Sequence, residues 1–146
     1  MAGTLSPCLA FAFCELKQKW YLMHLVTTLL DNVMLVEPDP ASDERGTFVR
    51  LYCSQEFAVA GVRFEPKQTS LSHNDSRLTL RGMHYCAEPE IKLVHCVRGR
   101  IYDVALDVRR ASPTFGQWFG CELSPDSRGL LIPAGVAHGF LTLEPD

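Results

Sequence analysis

The chain has 146 residues, a formal net charge of -3, a pI near 5.9 and a 47% hydrophobic composition. A chain of this length predicts one globular domain with its own core. The slightly acidic balance offers no basic surface for nucleic acid, so we expect another kind of partner.

The apolar run Cys8–Cys14 is too short for a membrane span and lacks a basic lead, so neither an anchor nor a signal peptide is predicted. Six cysteines without a Cys-x-x-Cys pair are typical of reduced thiols in a cytoplasmic protein.

The pattern of apolar residues changes near residue 32. Between Trp20 and Leu30 the apolar side chains have partly helical spacing, which would suit a packing or subunit-contact segment. From Asn32 onward, short strand-like runs alternate with clusters of Gly, Pro, Asp and Ser, a pattern typical of an antiparallel sandwich or barrel. The sequence therefore predicts an N-terminal extension of unknown role (1–31), followed by an all-β domain (32–146).

The predicted elements follow from this pattern. One short helix should be capped by Ser54, continue through Ala60 and end at Gly61. The strongest hairpin signal joins the runs 91–97 and 100–108 at Arg98-Gly99. In the second of these runs Asp103 and Asp107 share one face, and we expect Asp107 to be exposed to solvent. The predicted strands are 33–36, 47–53, 64–72, 78–85, 91–97, 100–108, 117–123, 130–132 and 136–143.

Two histidines lie in apolar, strand-like runs: His84 in Arg81-Gly-Met-His-Tyr85 and His138 in Pro133-Ala-Gly-Val-Ala-His-Gly-Phe140. Alternation along the strands places Leu80 on the face of His84, and we expect both imidazoles to point into the barrel. By the same alternation Arg81 points away from His84, unless Gly82 introduces a bulge. Because imidazole can transfer a proton or bind a metal near neutral pH, the pair predicts a shared functional pocket.

Longer runs around these histidines resemble the dTDP-4-dehydrorhamnose 3,5-epimerases of the cupin superfamily. The resemblance covers about residues 33 to 143 in unbroken order, which is more specific than any single short motif. It implies a cupin-type antiparallel jelly-roll barrel with a short helix. The matching runs are Asp43-Glu-Arg-Gly-Thr-Phe48, Thr79-Leu-Arg-Gly-Met-His-Tyr85, Lys92-Leu-Val-His-Cys-Val-Arg-Gly99, Tyr102-Asp-Val-Ala-Leu-Asp-Val-Arg109, Ser112-Pro-Thr-Phe-Gly-Gln-Trp118 and Ile132-Pro-Ala-Gly-Val-Ala-His-Gly-Phe140.

The resemblance also implies a reaction and its catalytic residues. The family inverts carbons 3 and 5 of a 4-keto-6-deoxyhexose carried on thymidine diphosphate, by removing a proton beside the ketone and returning one to the opposite face. His84 matches the family's base, Lys92 the cation that holds the enolate oxygen, and His138 a second histidine close to the sugar. The family's proton-donating tyrosine, and an aspartate that orients the base, follow the matched region. We expect this chain, which stops at Asp146, to lack both.

Substrate binding is implied in the same way. Arg45 and Arg81 match positions that meet the diphosphate, where a guanidinium can pair with phosphate oxygens through two hydrogen bonds. Phe48 and Gln68 match positions that hold the nucleotide base. The resemblance implies no metal or organic cofactor. It further implies a homodimer whose subunits pair through their N-terminal strands.

Two other functions fit parts of the sequence. Pro133-x-Gly135-x-x-His138 and His84-x-Cys86-x-x-x-Glu90 have the spacing of the two cupin metal motifs, with a cysteine in place of a histidine. Their imidazole, thiolate and carboxylate groups could bind iron or zinc. The third possibility is a nucleotide-sugar-binding remnant without catalytic activity. Arg45 also has a purely structural interpretation, in which it pairs with a neighbouring carboxylate of its acidic loop.

Overall fold

A computed structural model describes residues 22–125 and 127–144, and residues 1–21 of the predicted extension lie outside the described residues. Nearly all of the regular structure is β. None of the helices in the described residues is long and apolar enough to cross a membrane. The elements are β1 (Met23–Thr27), β2 (Met34–Pro38), β3 (Ala41–Asp43), β4 (Gly46–Phe48), α1 (Ser54–Val59), β5 (Leu80–His84), β6 (Lys92–Val94), β7 (Ile101–Asp107), β8 (Trp118–Leu123), β9 (Gly129–Ile132) and β10 (Val136–Thr142).

Two four-stranded antiparallel sheets form the body of the domain. The first sheet has the order β1-β2-β9-β6 and the second sheet the order β5-β10-β7-β8, while β3 and β4 form a separate two-stranded hairpin. Side chains from both large sheets meet in one core, so each sheet has an inner face that packs towards the other. These core residues are Leu30, Val33, Cys96, Ile101, Ala105, Leu123, Leu130, Ile132 and Val136. The predicted all-β jelly-roll class with one short helix is confirmed.

The helix α1 covers the outer face of the first sheet. Its fully buried Phe57 joins Met23, Val36 and Leu131 in a second apolar cluster. Burying a phenylalanine of this kind contributes about 1.5–3 kcal/mol. The helix begins one residue earlier than predicted, because Ser54 is already helical and Cys53 occupies the N-cap position without a side-chain hydrogen bond.

The predicted hairpin between 91–97 and 100–108 is wrong. β6 pairs with β9 in the first sheet, whereas β7 pairs with β10 and β8 in the second. The turn at Arg98-Gly99 therefore carries the chain from one sheet to the other. Alternating apolar residues indicate a strand with one buried face, but they do not specify its partner, and the partners here come from strands later in the chain.

Two other sequence predictions also differ from the structure. The apolar spacing between Trp20 and Leu30 is partly helical, but residues 23–27 of this segment form strand β1, whose five residues pair in register with β2. Pairing with a neighbouring strand here outweighs a weak local helical pattern. Residues 64–72 form no strand. Phe64 instead packs edge-on against Tyr52 beside Phe57, so the apolar signal of this segment comes from the cluster below α1.

Candidate active site

The register of β5 against β10 brings the two histidines together. His84 lies directly opposite His138 in this antiparallel pair. Opposed residues of this kind share a face, with Cβ atoms about 4.5–5.5 Å apart. That face is the inner one, because Val136, two residues before His138, belongs to the core between the sheets. His138 is buried, whereas His84, on the edge strand β5, is exposed to solvent.

A β-bulge at Gly82 places Arg81 on the same face as His84. One residue of β10, Gly139, lies between His138 and Phe140, but two residues of β5 lie between their partners, His84 and Arg81. The extra residue reverses the alternation, so the bulge alternative of the sequence analysis holds. The predicted position of Leu80 beside His84 is wrong, because Leu80 lies opposite Leu141 on the other face.

Glycine is required at this bulge for two reasons. Gly82 has φ +116°, a conformation that side-chain-bearing residues rarely adopt. A Cβ at this position would also lie 2.6 Å from the Cα atom of Gly139 on β10. The bulge thus depends on one residue without a side chain, packed against the backbone of the neighbouring strand.

Asp103 is a site residue that the sequence analysis did not identify. Its carboxylate is fully buried, and its two oxygens lie 3.0 Å and 2.9 Å from Nε2 of His138. Asp103 is opposite Phe140 in the pairing of β7 with β10, which places it on the face of His138. The signal was present in the alternation of β7, where Ala105 is a core residue and Asp103 shares its face.

The expectation that Asp107 is exposed is also wrong. Its side chain is 0% exposed and lies on the inner face of β7. Its carboxylate accepts hydrogen bonds from Arg109, Ser112 and Thr114, and the Arg109 guanidinium holds the pKa of Asp107 well below its usual range. Arg109 also donates to the carbonyl of Asp31, which ties the loop after β7 to the turn after β1. This buried network stabilises loops rather than contributing to the site.

Lys92 lies on the first sheet and faces the second sheet, which carries the two histidines. It lies opposite Ile132 in the pairing of β6 with β9, and Ile132 is a core residue, so both face the second sheet. The side chain of Lys92 is 28% exposed, and its Nζ atom lies 3.3 Å from Oε2 of Glu90. His84 and Lys92 end and begin the strands on either side of the 85–91 connection, each on the inner face of its own sheet.

The four residues assigned to substrate binding lie on different elements. Arg81 donates from Nε to Oδ1 of the buried Asn74 at 2.6 Å, which anchors its guanidinium beside β5. Gln68 lies in the exposed segment before β5 and donates to Ser70. Arg45 and Phe48 belong to the β3–β4 hairpin, where they line an open pocket of about 420 Å³.

Arg45 makes the ion pair with Asp43 that its acidic loop suggested. The Arg45 Nε atom lies 3.0 Å from Oδ2 of Asp43, and this hydrogen bond lowers the pKa of Asp43. The Arg45 side chain is nevertheless 83% exposed, and Phe48 is 60% exposed. Both therefore remain accessible to a ligand on the hairpin surface.

The residues of the metal alternative do not form a metal site. Across residues 22–125 and 127–144, no group of three or more His, Cys, Asp or Glu side chains could hold a metal ion. Cys86 is exposed, Glu90 pairs with Lys92, and the Nε2 atom of His138 is bound to Asp103. The arrangement instead combines an exposed imidazole, a buried imidazole–carboxylate pair, a lysine and an arginine, which is suited to proton transfer beside an anionic ligand.

Comparison with known proteins gives a consistent result. The family model of dTDP-4-dehydrorhamnose 3,5-epimerase matches residues 27–146. The dTDP-4-dehydrorhamnose 3,5-epimerase of Shigella flexneri is 42% identical over 130 residues, which cover 85% of this chain and 70% of that protein.

Solved structures show the same likeness. An epimerase from Bacillus anthracis with TDP and PPi bound has a TM-score of 0.80 and 40% identity, over 84% of this chain and 72% of that one. A 3,5-epimerase from Legionella pneumophila in complex with dTDP-4-keto-L-rhamnose has a TM-score of 0.77 and 37% identity, over 84% and 66%. The chain thus spans about two thirds of the length of such relatives, as little as 66% in the last case.

Proposed function

Because the chain belongs to the dTDP-4-dehydrorhamnose 3,5-epimerase family, we propose that it epimerises a 4-keto-6-deoxyhexose carried on thymidine diphosphate. The reaction is the removal of a proton from a carbon beside the ketone, followed by the return of a proton from solvent to the opposite face. The observation that supports this function most directly is the opposition of His84 and His138 on the inner face of β5 and β10.

His84 is the base in this proposal. It lies on an edge strand and is exposed, so a substrate can approach its ring without displacing core residues. Histidine is the side chain that most often takes a proton from a reacting group near neutral pH. Removal of the proton at carbon 5 or carbon 3 leaves the electron pair on the oxygen of the 4-keto group, as an enolate.

Lys92 stabilises that enolate. Lys92 lies on the inner face of β6, and a fixed positive charge in such a position acts strongly on a developing negative oxygen. The Nζ atom of Lys92 lies 3.3 Å from Oε2 of the half-exposed Glu90. Such an exposed ion pair is weak, so Glu90 competes little with the substrate for the lysine. His138 lines the sugar subsite beside His84.

The nucleotide diphosphate binds through the arginines. Arg81 shares a face with His84, so a diphosphate held by its guanidinium places the attached sugar next to the base. Arg45 provides a second guanidinium, and Phe48 and Gln68 contact the nucleotide base. No step of this proton transfer requires a metal ion or an organic cofactor.

A homodimer and a cytoplasmic location complete the proposal. β1 is an edge strand of the first sheet, and Leu22, Val26 and Leu29 at and beside it are exposed. An edge strand with exposed apolar residues is a ready template for pairing with a second copy. Analytical ultracentrifugation tests the dimer, and a monomer at micromolar concentration would contradict it.

Solvent exchange tests the activity. The purified chain is incubated with dTDP-4-dehydro-6-deoxyglucose in deuterated water, and NMR follows deuterium at carbons 3 and 5. We expect exchange at one or both carbons, with an unchanged rate after treatment with EDTA. Binding of the nucleotide sugar without exchange would instead support a binding remnant, and a stoichiometric metal that is lost in Cys86→Ala would support the metal alternative.

A further inference from the structure

The buried side chain of Asp103 has one hydrogen-bond partner among the described residues, the ring of His138. Asp103 is a fully buried carboxylate, and within the described residues its side chain accepts hydrogen bonds only from Nε2 of His138. A buried carboxylate is costly to desolvate, and its loss of hydration must be offset by a donor. Cys121 lies opposite Asp103 on β8, and burial, with a smaller contribution from the Asp103 charge, raises the pKa of its thiol.

The geometry fixes which ring nitrogen of His138 is available. Both carboxylate oxygens lie within 3.0 Å of Nε2, so this nitrogen carries the proton that the carboxylate accepts. Nδ1 has no hydrogen-bond partner in the described part of the chain, and it is not sealed off, since no buried polar atom there lacks a partner. Nδ1 is therefore the available nitrogen of a ring that lies opposite His84 in the strand pair.

We infer that Asp103 is a positioning residue, whose carboxylate holds the Nε2–H of His138 and thereby presents Nδ1 to the sugar. The inference rests on the proposed function, in that it names the atom of His138 that meets the substrate. In metal sites, carboxylates orient the ligating imidazole through its second nitrogen, and their loss costs about 10–100-fold in affinity or activity. We take the same range for the orienting contact of Asp103 with His138. Asp103 acts on the reaction only through His138 and touches no substrate.

The protonation state of His138 in the free protein tests the inference without any substrate. In ¹⁵N-labelled wild-type protein, long-range ¹H–¹⁵N spectra at pH 8 distinguish a protonated Nε2 from a protonated Nδ1, and the His138 signals are assigned by their absence in His138→Gln. We expect a protonated Nε2. A proton on Nδ1 alone would overturn the inference.

Two variants test its consequence for the reaction. In Asp103→Asn we expect His138 to lose its fixed tautomer and the exchange rate to fall about 10–100-fold, with partial rescue in Asp103→Glu. In a His138→Gln background the same change should have no further effect, because Asp103 then has no ring to orient. Asp107→Asn is the matched control, since this carboxylate is equally buried on the same face of β7 and should leave the His138 tautomer unchanged.

The outcomes separate the two proposals. If the wild-type chain shows no exchange at all, the proposed function fails, and the tautomer of His138 in the wild type and in Asp103→Asn decides the role of Asp103. If Asp103→Asn leaves both the tautomer and the exchange rate unchanged, or lowers exchange equally in the presence and absence of His138, Asp103 is not a positioning residue. The wild-type spectrum is informative even if Asp103→Asn does not fold.

Discussion

Replacing Asp107 by asparagine should destabilise the protein markedly. The carboxylate is completely buried and accepts hydrogen bonds from the Arg109 backbone N–H at 3.0 Å, from Arg109 Nε at 2.9 Å and from Thr114 Oγ1 at 2.6 Å. The Arg109 guanidinium is only 21% exposed. Asparagine keeps the shape of the side chain but removes the charge that this guanidinium faces.

The expected cost follows from these contacts. Removing one partner of a buried ion pair typically costs about 3–5 kcal/mol, because the other charge is left buried and uncompensated. We expect the lower end, about 3 kcal/mol, since part of Arg109 reaches solvent and its bond to the Asp31 carbonyl remains. With a urea dependence of about 1–3 kcal/mol/M for a domain of this size, the unfolding midpoint should fall by about 1–3 M.

Equilibrium unfolding in urea, followed by circular dichroism, measures this shift. Asp43→Asn is the matched control, because Asp43 makes the same hydrogen bonds to Arg45 two residues later but lies on the exposed β3–β4 hairpin. We expect no resolvable change in that variant. Equal midpoints for Asp107→Asn and Asp43→Asn would refute the argument from burial.

The pH dependence provides a second check on Asp107. Its pKa is lowered in the folded protein, mainly by the hydrogen bond from Arg109. The stability that it contributes is therefore fully present above the unfolded value of about 3.9 and is lost as the pH falls below that value. The difference between wild type and Asp107→Asn should narrow as the pH falls below about 4. A difference that stays constant down to pH 2 would contradict this origin.

Three further predictions concern other contacts. Gly82→Ala should lower both the exchange rate and the unfolding midpoint, because the new Cβ would lie 2.6 Å from Gly139 Cα at the bulge that orients Arg81 and His84. A wild-type exchange rate and midpoint in this variant would contradict the role of the bulge. Gly129→Ala should lower the free energy of unfolding in urea by about 1–3 kcal/mol, because the new Cβ would lie 2.4 Å from Cε1 of His95. The double variant with His95→Ala should be less destabilised than the sum of the two single changes, and a full sum would contradict the contact. Burial, with a smaller contribution from the Asp103 charge, raises the pKa of Cys121 to about 11. Iodoacetamide at pH 8 should therefore label the exposed Cys86 and leave Cys121 unmodified, as measured by peptide mass analysis. Equal labelling of the two cysteines would contradict this environment.

The sequence was sufficient to predict the strands from residue 78 onward and the inward direction of His138. The alternation around His138 depends only on neighbouring residues, and β10 is regular. Sequence alternation could not decide the direction of Arg81, because it reverses at Gly82, where the backbone conformation depends on how closely β10 approaches. The resemblance to a family supplied the jelly roll, which no local pattern could provide.

The two buried carboxylates of β7 explain the errors that the sequence analysis made on this strand. Asp103 and Asp107 look like a solvent face because aspartate is rarely buried without a partner. Their partners, His138 and Arg109, come from β10 and from the loop after β7, so the compensation becomes visible only once the strands are paired. The false hairpin at Arg98-Gly99 has the same cause, because β6 finds its partner β9 more than thirty residues later in the chain.

The role of His84 as the base is the central claim, and deuterium exchange into the sugar in the variant His84→Ala tests it most directly. The matched control is His24→Ala, which removes an exposed histidine of β1 that pairs with Asp39. We expect wild type and His24→Ala to exchange protons beside the ketone at the same rate, and His84→Ala to show no exchange while it still binds the nucleotide sugar. Exchange at the wild-type rate in His84→Ala would contradict the account.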